Sequence, residues 1–229
     1  MKQLITLLLL IFTHTISANN SVYAMDDSYS AQYKISEHLG FQVTTSLMAF
    51  TVTDNHVIRE LPQHNIIEHW VKRDNGRHIF YRHFPNYDSS IHYTRGDLRA
   101  FNLSGDWETT TQVIPYRWLQ ALEKKETFRT EQGSVSRFEG DINGYQVSID
   151  WLNDKGLPKK YTIKKQHQRL TLELLDLTDA NRTIAKLNDW DKYRKIDFSD
   201  AMDMERDEFV QYLLTSGQLE TNGANFHTH

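Results

Sequence analysis

Acidic and histidine side chains near the C-terminus are the first residues whose types could bind a metal. His227 and His229 form a His-x-His pair, and Asp200, Asp203 and Asp207 recur every three or four residues. In a helix this spacing places the three carboxylates on one face. One hypothesis is therefore a metal site formed by His227, His229, Asp200 and Asp203 once the tail folds back. The segment lacks the spacing and the glycine of an EF-hand, so the alternative is a solvated helix start followed by a disordered tail.

A second set of residues could do acid–base chemistry. His64, Glu68 and His69 fit neither zinc-peptidase motif, His-Glu-x-x-His or His-x-x-Glu-His. Pairing across a turn at Asn75-Gly76 places Glu68 opposite His83, and a carboxylate–imidazole pair can act as a general base. The alternative is a cross-strand surface pair, because no nucleophile is identifiable nearby. The sequence contains no Gly-x-Ser-x-Gly elbow, no phosphate-binding loop and no cysteine. We therefore predict a non-enzymatic protein with no catalytic residue and no cofactor.

A cluster of basic residues indicates a docking surface. The chain has 26 Lys and Arg against 30 Asp and Glu, a formal net charge of −4 at pH 7. This mildly acidic balance argues against nucleic-acid binding, so a local positive patch is distinctive. We predict that the patch contacts anionic lipid headgroups or an acidic partner, with a solvated strand face as the alternative. The patch consists of Lys159, Lys160, Lys164, Lys165 and Arg169.

The N-terminus has the pattern of an export signal. Lys2 precedes an unbroken apolar run from Leu4 to Phe12, which is too short to span a bilayer of about 30 Å as a helix. Small residues then allow cleavage after Ala18 or after Ala24. Export without any cysteine favours the bacterial periplasm over a eukaryotic secretory route. The predicted organisation is a signal peptide (1–24), a single domain (25–216) and a flexible polar tail (217–229).

The middle of the chain has the alternation of antiparallel strands. Asn143-Gly144 is a strong signal for a two-residue hairpin turn, and it places Phe138 opposite Ile149. Apolar residues then share one face, and opposite charges meet on the other. Strands near 159–165 and 169–177 extend the hairpin into a four-strand meander with one apolar and one wet face.

The remaining segments complete the prediction of an α+β fold. The faces of the hairpin around Asn75-Gly76 are not cleanly polar on either side, which indicates a sheet covered on both faces or a tall sheet that curls. The expected architecture is a mostly antiparallel curved sheet, an incomplete β-barrel, flanked by a few helices. Further strands are expected near 46–53, 89–93 and 98–102, and helices from Pro115 to about Glu126 and from Met202 to Thr215.

The central strands also carry a pattern seen in a known superfamily. From Gly144 to Lys160 the chain reads GYQVSIDWLNDKGLPKK, and a charged strand and Leu170-Thr-Leu-Glu-Leu follow. Over residues 138–174 this pattern resembles the LolA/LolB-like lipoprotein carriers, in which a strand ends in a turn of the Asp-x-x-Gly-Leu-Pro type. The resemblance implies a curved sheet closed on one side by helices, with an apolar cavity for acyl chains. The arginine that keeps the lid shut in the best-known carriers has no counterpart here, so lipoprotein transport does not carry over.

The apolar face of the meander is the predicted ligand-binding surface. A hollow half-barrel and a filled core have the same sequence pattern, so both interpretations stay open. The leading hypothesis is an exported soluble protein that binds a lipid or a lipidated partner in its concave face and contacts a membrane surface transiently. The alternatives are a metal-binding periplasmic protein and a ligand-free protein-interaction module. The predicted lining residues are Phe138, Tyr145, Val147, Ile149, Trp151, Tyr161, Ile163, Leu170, Leu172 and Leu174.

Overall fold

One twelve-stranded sheet organises the part of the chain that the structure describes. The computed structural model describes residues 28–101 and 107–218. The strands are β1 (Tyr29–Leu39), β2 (Gln42–Val52), β3 (His56–Leu61), β4 (Ile66–Lys72), β5 (His78–Phe84), β6 (Ser89–Tyr93), β7 (Glu123–Thr130), β8 (Gly133–Ile142), β9 (Tyr145–Leu152), β10 (Leu157–Lys165), β11 (Gln168–Thr178) and β12 (Arg194–Asp197). Their order across the sheet is β12-β6-β5-β4-β3-β2-β1-β11-β10-β9-β8-β7. All neighbours are antiparallel except β12 and β6, which are parallel.

Short helices flank this open sheet, and the predicted α+β fold with a curved, mostly antiparallel sheet is confirmed. None of the helices in the described residues has the length and apolar composition that a membrane crossing needs. The helices are α1 (Arg95–Ala100), α2 (Trp107–Thr110), α3 (Tyr116–Ala121), α4 (Asn181–Ile184), α5 (Leu187–Trp190), α6 (Phe198–Ala201) and α7 (Glu208–Ser216).

The predicted meander is present in the predicted register. Asn143 and Gly144 form the turn between β8 and β9 with φ angles of 54° and 79°, as a type I′ turn requires. Phe138 pairs with Ile149 across these strands. Strands β10 and β11 then continue the meander, because apolar and polar residues alternate along each of them.

The strand predicted near 98–102 is wrong for the residues that the structure describes. Residues Arg95–Ala100 form helix α1 instead, with Leu98 buried. The helix begins in a capping box: the Asp97 N–H donates to Thr94 Oγ1 (3.3 Å), and the Thr94 N–H donates to the Asp97 carboxylate (2.7 Å). Two backbone donors are thereby satisfied, which stabilises a helix start.

The two predicted helices are shorter than expected. The first ends at Ala121, because the chain from Glu123 onward pairs with β8 as strand β7. The second does not begin until Glu208, because the chain breaks between α7 and the short α6, which lies before the predicted range. The break lies before Asp207, whose carboxylate accepts a hydrogen bond from the Val210 N–H (3.2 Å) and so starts a new helix.

The sheet has an inner face that holds the main core and an outer face that is covered only locally. Helices α1, α3, α6 and α7 contribute buried side chains to the inner core. On the outer face a small second cluster joins Ile58, Ile67 and Trp190 over strands β3 and β4. The sheet around the Asn75-Gly76 hairpin is therefore covered on both faces.

Candidate functional site

The ten residues predicted to line a ligand site all belong to β8–β11. Nine of them are buried and Tyr145 is half-buried, and all belong to or pack against the main core. Helix α3 covers this face: the Trp118 ring centroid lies 5.6 Å from that of Tyr161, and the Tyr116 ring centroid lies 5.4 Å from that of Trp151. The protein's own side chains therefore fill the inner face, and ligand binding by these residues stays a prediction.

Helix α3 lies close to β8 where its C-terminal end meets Gly140. A Cβ at Gly140 would lie 3.0 Å from Leu122 Cδ2 and 3.8 Å from Leu122 Cα. Leu122 directly follows the helix, and its N–H donates to the Trp118 carbonyl oxygen (3.1 Å). The missing side chain at position 140 therefore sets how closely α3 packs on the sheet.

The turn between β1 and β2 carries an exposed apolar surface. Gly40 and Phe41 form a two-residue turn, with Gly40 at a φ of 59° in its first position, which suits a type II′ turn. Phe41 is fully exposed, and its apolar neighbours in the same hairpin are 41%, 58% and 44% exposed. Exposed apolar groups of this kind mark binding surfaces. We call this surface the hairpin tip; it consists of Leu39, Phe41, Val43 and Leu47.

The hairpin tip is exposed because β2 extends beyond its neighbour. Strand β3 pairs only with Ala49–Val52, so the first half of β2 has no strand beside it on that side. One backbone donor there is satisfied by a side chain: the Leu47 N–H donates to Gln63 Oε1 (3.0 Å). The apolar side chains of Val43 and Leu47 in this half of β2 are exposed.

Basic residues lie beside the hairpin tip, in the turn between β10 and β11. The two turns are joined by a hydrogen bond from the Gly40 N–H to the His167 carbonyl oxygen (3.1 Å). An open cavity of about 560 Å³ lies there, with Phe41, Lys164 and Arg169 among its lining residues. We call the exposed cations the basic rim; it consists of Lys164, Lys165 and Arg169.

The predicted docking patch is thus divided into two parts. Lys160 lies nearer the start of β10, away from the turn, and its Nζ pairs with Glu173 Oε1 (2.9 Å). Lys159 is half-buried. Within residues 28–101 and 107–218 no carboxylate forms a salt bridge with the basic rim. The cationic charge next to the hairpin tip is therefore not neutralised by these residues.

The acidic residues of the metal hypothesis do not share a helix face. Asp200 lies in α6, Asp203 lies in the turn after it, and Asp207 caps α7. Two short helices replace the single helix that the spacing implies, so the periodicity does not apply. Among the described residues no group of three or more His, Asp or Glu could hold a metal ion. His227 and His229 lie outside the described residues, and a metal site that includes them stays a prediction.

The predicted Glu68–His83 pair is wrong. Gly76 has a φ of 73° and its N–H donates to the Arg73 carbonyl oxygen (2.8 Å), which makes a three-residue loop rather than a two-residue turn. The register therefore changes by one residue, and Glu68 pairs with Arg82. A change of one residue places His83 on the opposite face of the sheet from Glu68.

His83 instead belongs to a hydrogen-bonded histidine chain that the sequence analysis missed. On the outer face His56 Nδ1 lies 2.9 Å from His69 Nε2, and His69 Nδ1 lies 3.1 Å from His83 Nε2. His83 Nδ1 lies 2.7 Å from Ser90 Oγ. The histidine chain crosses the four adjacent strands β3 to β6. Only the correct register of the β4–β5 hairpin places His69 and His83 on the same face.

The histidine chain is shielded by Trp190. The Trp190 ring stacks on His83 at a centroid distance of 5.3 Å and meets His69 edge-on at 5.8 Å. Burial lowers the pKa of His69 well below its ordinary value, and the neighbouring imidazoles and Lys195 lower it further. Burial also lowers the pKa of His83 to about 4, with a further contribution from Lys195. The imidazoles of His69 and His83 are therefore neutral at physiological pH.

The solved structures that are similar to this chain share about a tenth of their residues with it. No family model and no curated protein matches the chain. Similar solved structures include a putative outer membrane lipoprotein-sorting protein domain from Vibrio parahaemolyticus (12% identity, TM-score 0.33, covering 72% of this chain and 89% of that one). A LolA superfamily protein from Nitrosomonas europaea is also similar (10% identity, TM-score 0.28, covering 66% and 86%). PNGF-II has a TM-score of 0.43 at 10% identity over 78% of this chain, which spans only 33% of that protein's length.

Proposed function

We propose that the chain is an exported, non-enzymatic envelope protein that handles lipids. It docks on an anionic membrane surface through the hairpin tip and the basic rim, and it binds an apolar ligand on the inner face of β8–β11. The observation that carries this proposal is the exposed apolar group at the end of one hairpin, directly beside cations that no described carboxylate neutralises.

The chemistry of the two surfaces suits a lipid bilayer. Moving a Phe or Leu side chain from water into an apolar phase stabilises binding by about 1.5–3 kcal/mol. Each Lys or Arg near an anionic leaflet adds about 1 kcal/mol. The fully exposed ring of Phe41 lies at the turn, where it can enter a bilayer without any rearrangement of the strands.

Vesicle flotation tests the apolar part of the proposal. We expect the protein to float with phosphatidylcholine vesicles that contain about one third phosphatidylglycerol, and Phe41→Ser to weaken this binding about tenfold, because one large apolar side chain is lost. The matched control is Leu175→Ser, which replaces a side chain that is 50% exposed on β11. Equal binding by the two variants would contradict docking through the hairpin tip.

The charge of the vesicles tests the basic part. Replacing Lys164, Lys165 and Arg169 together with Gln is expected to abolish the preference for anionic over neutral vesicles and the sensitivity of binding to salt. The control replaces Lys124, Lys125 and Arg129 of the exposed edge strand β7 in the same way. If this control loses as much binding as the rim variant, only net charge matters and the proposed rim is wrong.

Ligand binding on the inner face requires helix α3 to move away from the sheet. The chain contains no cysteine, so Leu122→Cys with Gly140→Cys introduces one defined disulfide between the end of α3 and β8. We expect a dansyl-labelled undecanoic acid probe to bind the reduced double variant and not the oxidised one. Unchanged binding after oxidation would exclude a site beneath α3, and each single variant serves as a control.

The proposed location has its own test. A signal peptide over residues 1–24 followed by a single domain over 25–216 predicts that the purified envelope form begins at Asn19 or Met25. N-terminal sequencing distinguishes these two cleavage sites. An intact Met1 on the envelope form would contradict processing.

A further inference from the structure

A segment that we call the outer cover lies over the histidine chain. It comprises residues 180–193 and includes α4 and α5. At one end Lys186 Nζ pairs with Glu60 Oε2 (2.6 Å), and Thr183 accepts a hydrogen bond from Thr51 Oγ1 (3.2 Å). At the other end Trp190 packs on the imidazoles. The attachment at this second end combines these aromatic contacts with an ion pair between Asp191 of the outer cover and Lys195 of β12 (3.2 Å).

The histidine chain has a fixed capacity for protons. Its two nitrogen–nitrogen gaps, His56–His69 and His69–His83, each hold one hydrogen, because two N–H groups facing each other repel. The two outer nitrogens, His56 Nε2 and His83 Nδ1, hold at most one hydrogen each. The chain therefore accommodates four hydrogens on its six ring nitrogens.

Three neutral imidazoles already carry three of these four hydrogens. The first added proton is therefore compatible with every hydrogen bond in the chain. A second added proton places two hydrogens in one gap and separates the two rings. Half-buried His56 is the end of the chain where solvent reaches the imidazoles.

We propose that the histidine chain is an acid-operated latch, in which uptake of a second proton separates the imidazoles and releases the outer cover from the sheet. Release at the Trp190 end uncovers the outer face of β3–β5, including the apolar side chains of Ile58 and Ile67. The inference is independent of lipid docking, because the hairpin tip and the basic rim contribute nothing to the latch.

The charged groups around the histidine chain affect how readily its imidazoles take up protons. Lys195 of β12 faces His69 and His83 and opposes their protonation, and Arg73 after β4 does the same at His56. Asp191 of the outer cover has the opposite effect on His56 and His83. The remaining ionisable neighbours are the rings of Tyr81 and Tyr193, the His92–Asp197 pair and the Glu60–Lys186 pair.

The sign of the effect follows from the pKa values. Burial holds the pKa of these imidazoles below the ordinary value of about 6.5, which they regain when the cover opens. The closed state is therefore fully favoured above pH 6.5 and loses its advantage as the pH falls. A return of the pKa of His83 from about 4 to about 6.5 by itself shifts the equilibrium toward opening about thirtyfold at pH 5.

Hydrogen exchange of the wild-type protein at pH 7.5 and 5.0, corrected for intrinsic rates, tests the latch. We expect protection in residues 180–193 to fall at least about tenfold at pH 5.0, while protection in β8–β11 stays constant. His69→Gln divides the chain and is expected to reduce this fall in protection, because only His56 and His83 still change their protonation. His92→Gln, which changes a histidine on neighbouring β6, is expected to behave as the wild type.

Three outcomes overturn the latch. Protection that does not change at pH 5.0 is one, and a fall in protection as large as that of the wild type in a folded His69→Gln variant is another. The third is pH dependence that is lost in Glu60→Gln, which would assign the effect to the carboxylate. If His69→Gln does not fold, imidazole NMR titration of the wild type replaces it: imidazoles that stay neutral while the cover opens contradict the latch.

Discussion

The two halves of the sheet differ in how their faces are covered. In the meander, β8–β11, the inner face is buried and the outer face is exposed to solvent. The outer face carries cross-strand ion pairs such as Arg137–Asp150 (2.7 Å). In the half formed by β3–β6, both faces are covered, and the outer face carries the histidine chain beneath Trp190. Charge is tolerated on the first outer face because water solvates it, whereas the second requires neutral imidazoles.

The difference has an energetic consequence. Stability in the meander depends mainly on apolar burial and responds little to pH. Stability in the doubly covered half depends also on buried imidazoles, which the folded chain protonates only at a lower pH than the unfolded chain does. The two halves are therefore expected to respond to different perturbations.

The largest effect on stability is expected on the buried face of the meander. Leu172→Ala removes a fully buried side chain and is expected to lower the free energy of unfolding by about 3–4 kcal/mol, because both transfer and cavity terms are lost. Leu175→Ala on the same strand, 50% exposed, is the control and should change it by less than about 0.5 kcal/mol. Urea unfolding measures both variants, and equal losses would contradict the assignment of the two faces.

A smaller effect is expected from acid in the doubly covered half. The unfolded chain binds protons at His83 near pH 6.5, but the folded chain does so only near pH 4, so stability is lost as the pH falls through this interval. The loss is about 2–3 kcal/mol for this group. Urea unfolding of wild type and His83→Gln between pH 7.5 and 4 measures it. The variant should show the shallower decline, and His167→Gln, at an exposed position, should decline as the wild type does.

The smallest effect on stability is expected on the solvent-exposed face of the meander. The Glu173 carboxylate forms salt bridges with Lys34 Nζ (2.7 Å) and Lys160 Nζ (2.9 Å). Hydrogen bonds from these two lysines lower the pKa of Glu173 to about 2. The contribution to stability is present above the ordinary pKa of about 4.5 and is lost as the pH falls toward 2. Because solvent screens the pair, Glu173→Gln should cost less than about 1 kcal/mol at pH 7 in thermal unfolding. A loss as large as that of Leu172→Ala would break the contrast between the two faces.

The sequence predicted the meander well and the other half poorly, for a physical reason. Around Asn143-Gly144 a wrong register would expose Phe138 and Ile149, so the apolar pattern selects one solution. Around Asn75-Gly76 both faces are mixed, and two registers one residue apart fit almost equally well. The three-residue loop ending at Gly76 decides between the two registers. The pattern of apolar and polar residues in the strands does not predict the length of this loop.

The candidate sites show the same division. Lys164, Lys165 and Arg169 were identified because cationic clusters are visible in a linear sequence. The hairpin tip was missed, because Val43 and Leu47 look like ordinary strand residues until the length of β3 is known. The histidine chain was missed because His56, His69 and His83 are far apart in the sequence and converge only through strand pairing.

Composition and local pattern by themselves determined that this chain forms an antiparallel sheet with an apolar face, and they determined the register of the hairpin at Asn143-Gly144. These features follow from interactions between residues near in sequence, and side-chain alternation records them directly. Only the tertiary structure decided that α3 fills the inner face, that Phe41 is left without a covering layer, and that three imidazoles share hydrogen bonds beneath Trp190. Each of these depends on where strands end and which layer covers them, and contacts between distant segments set both.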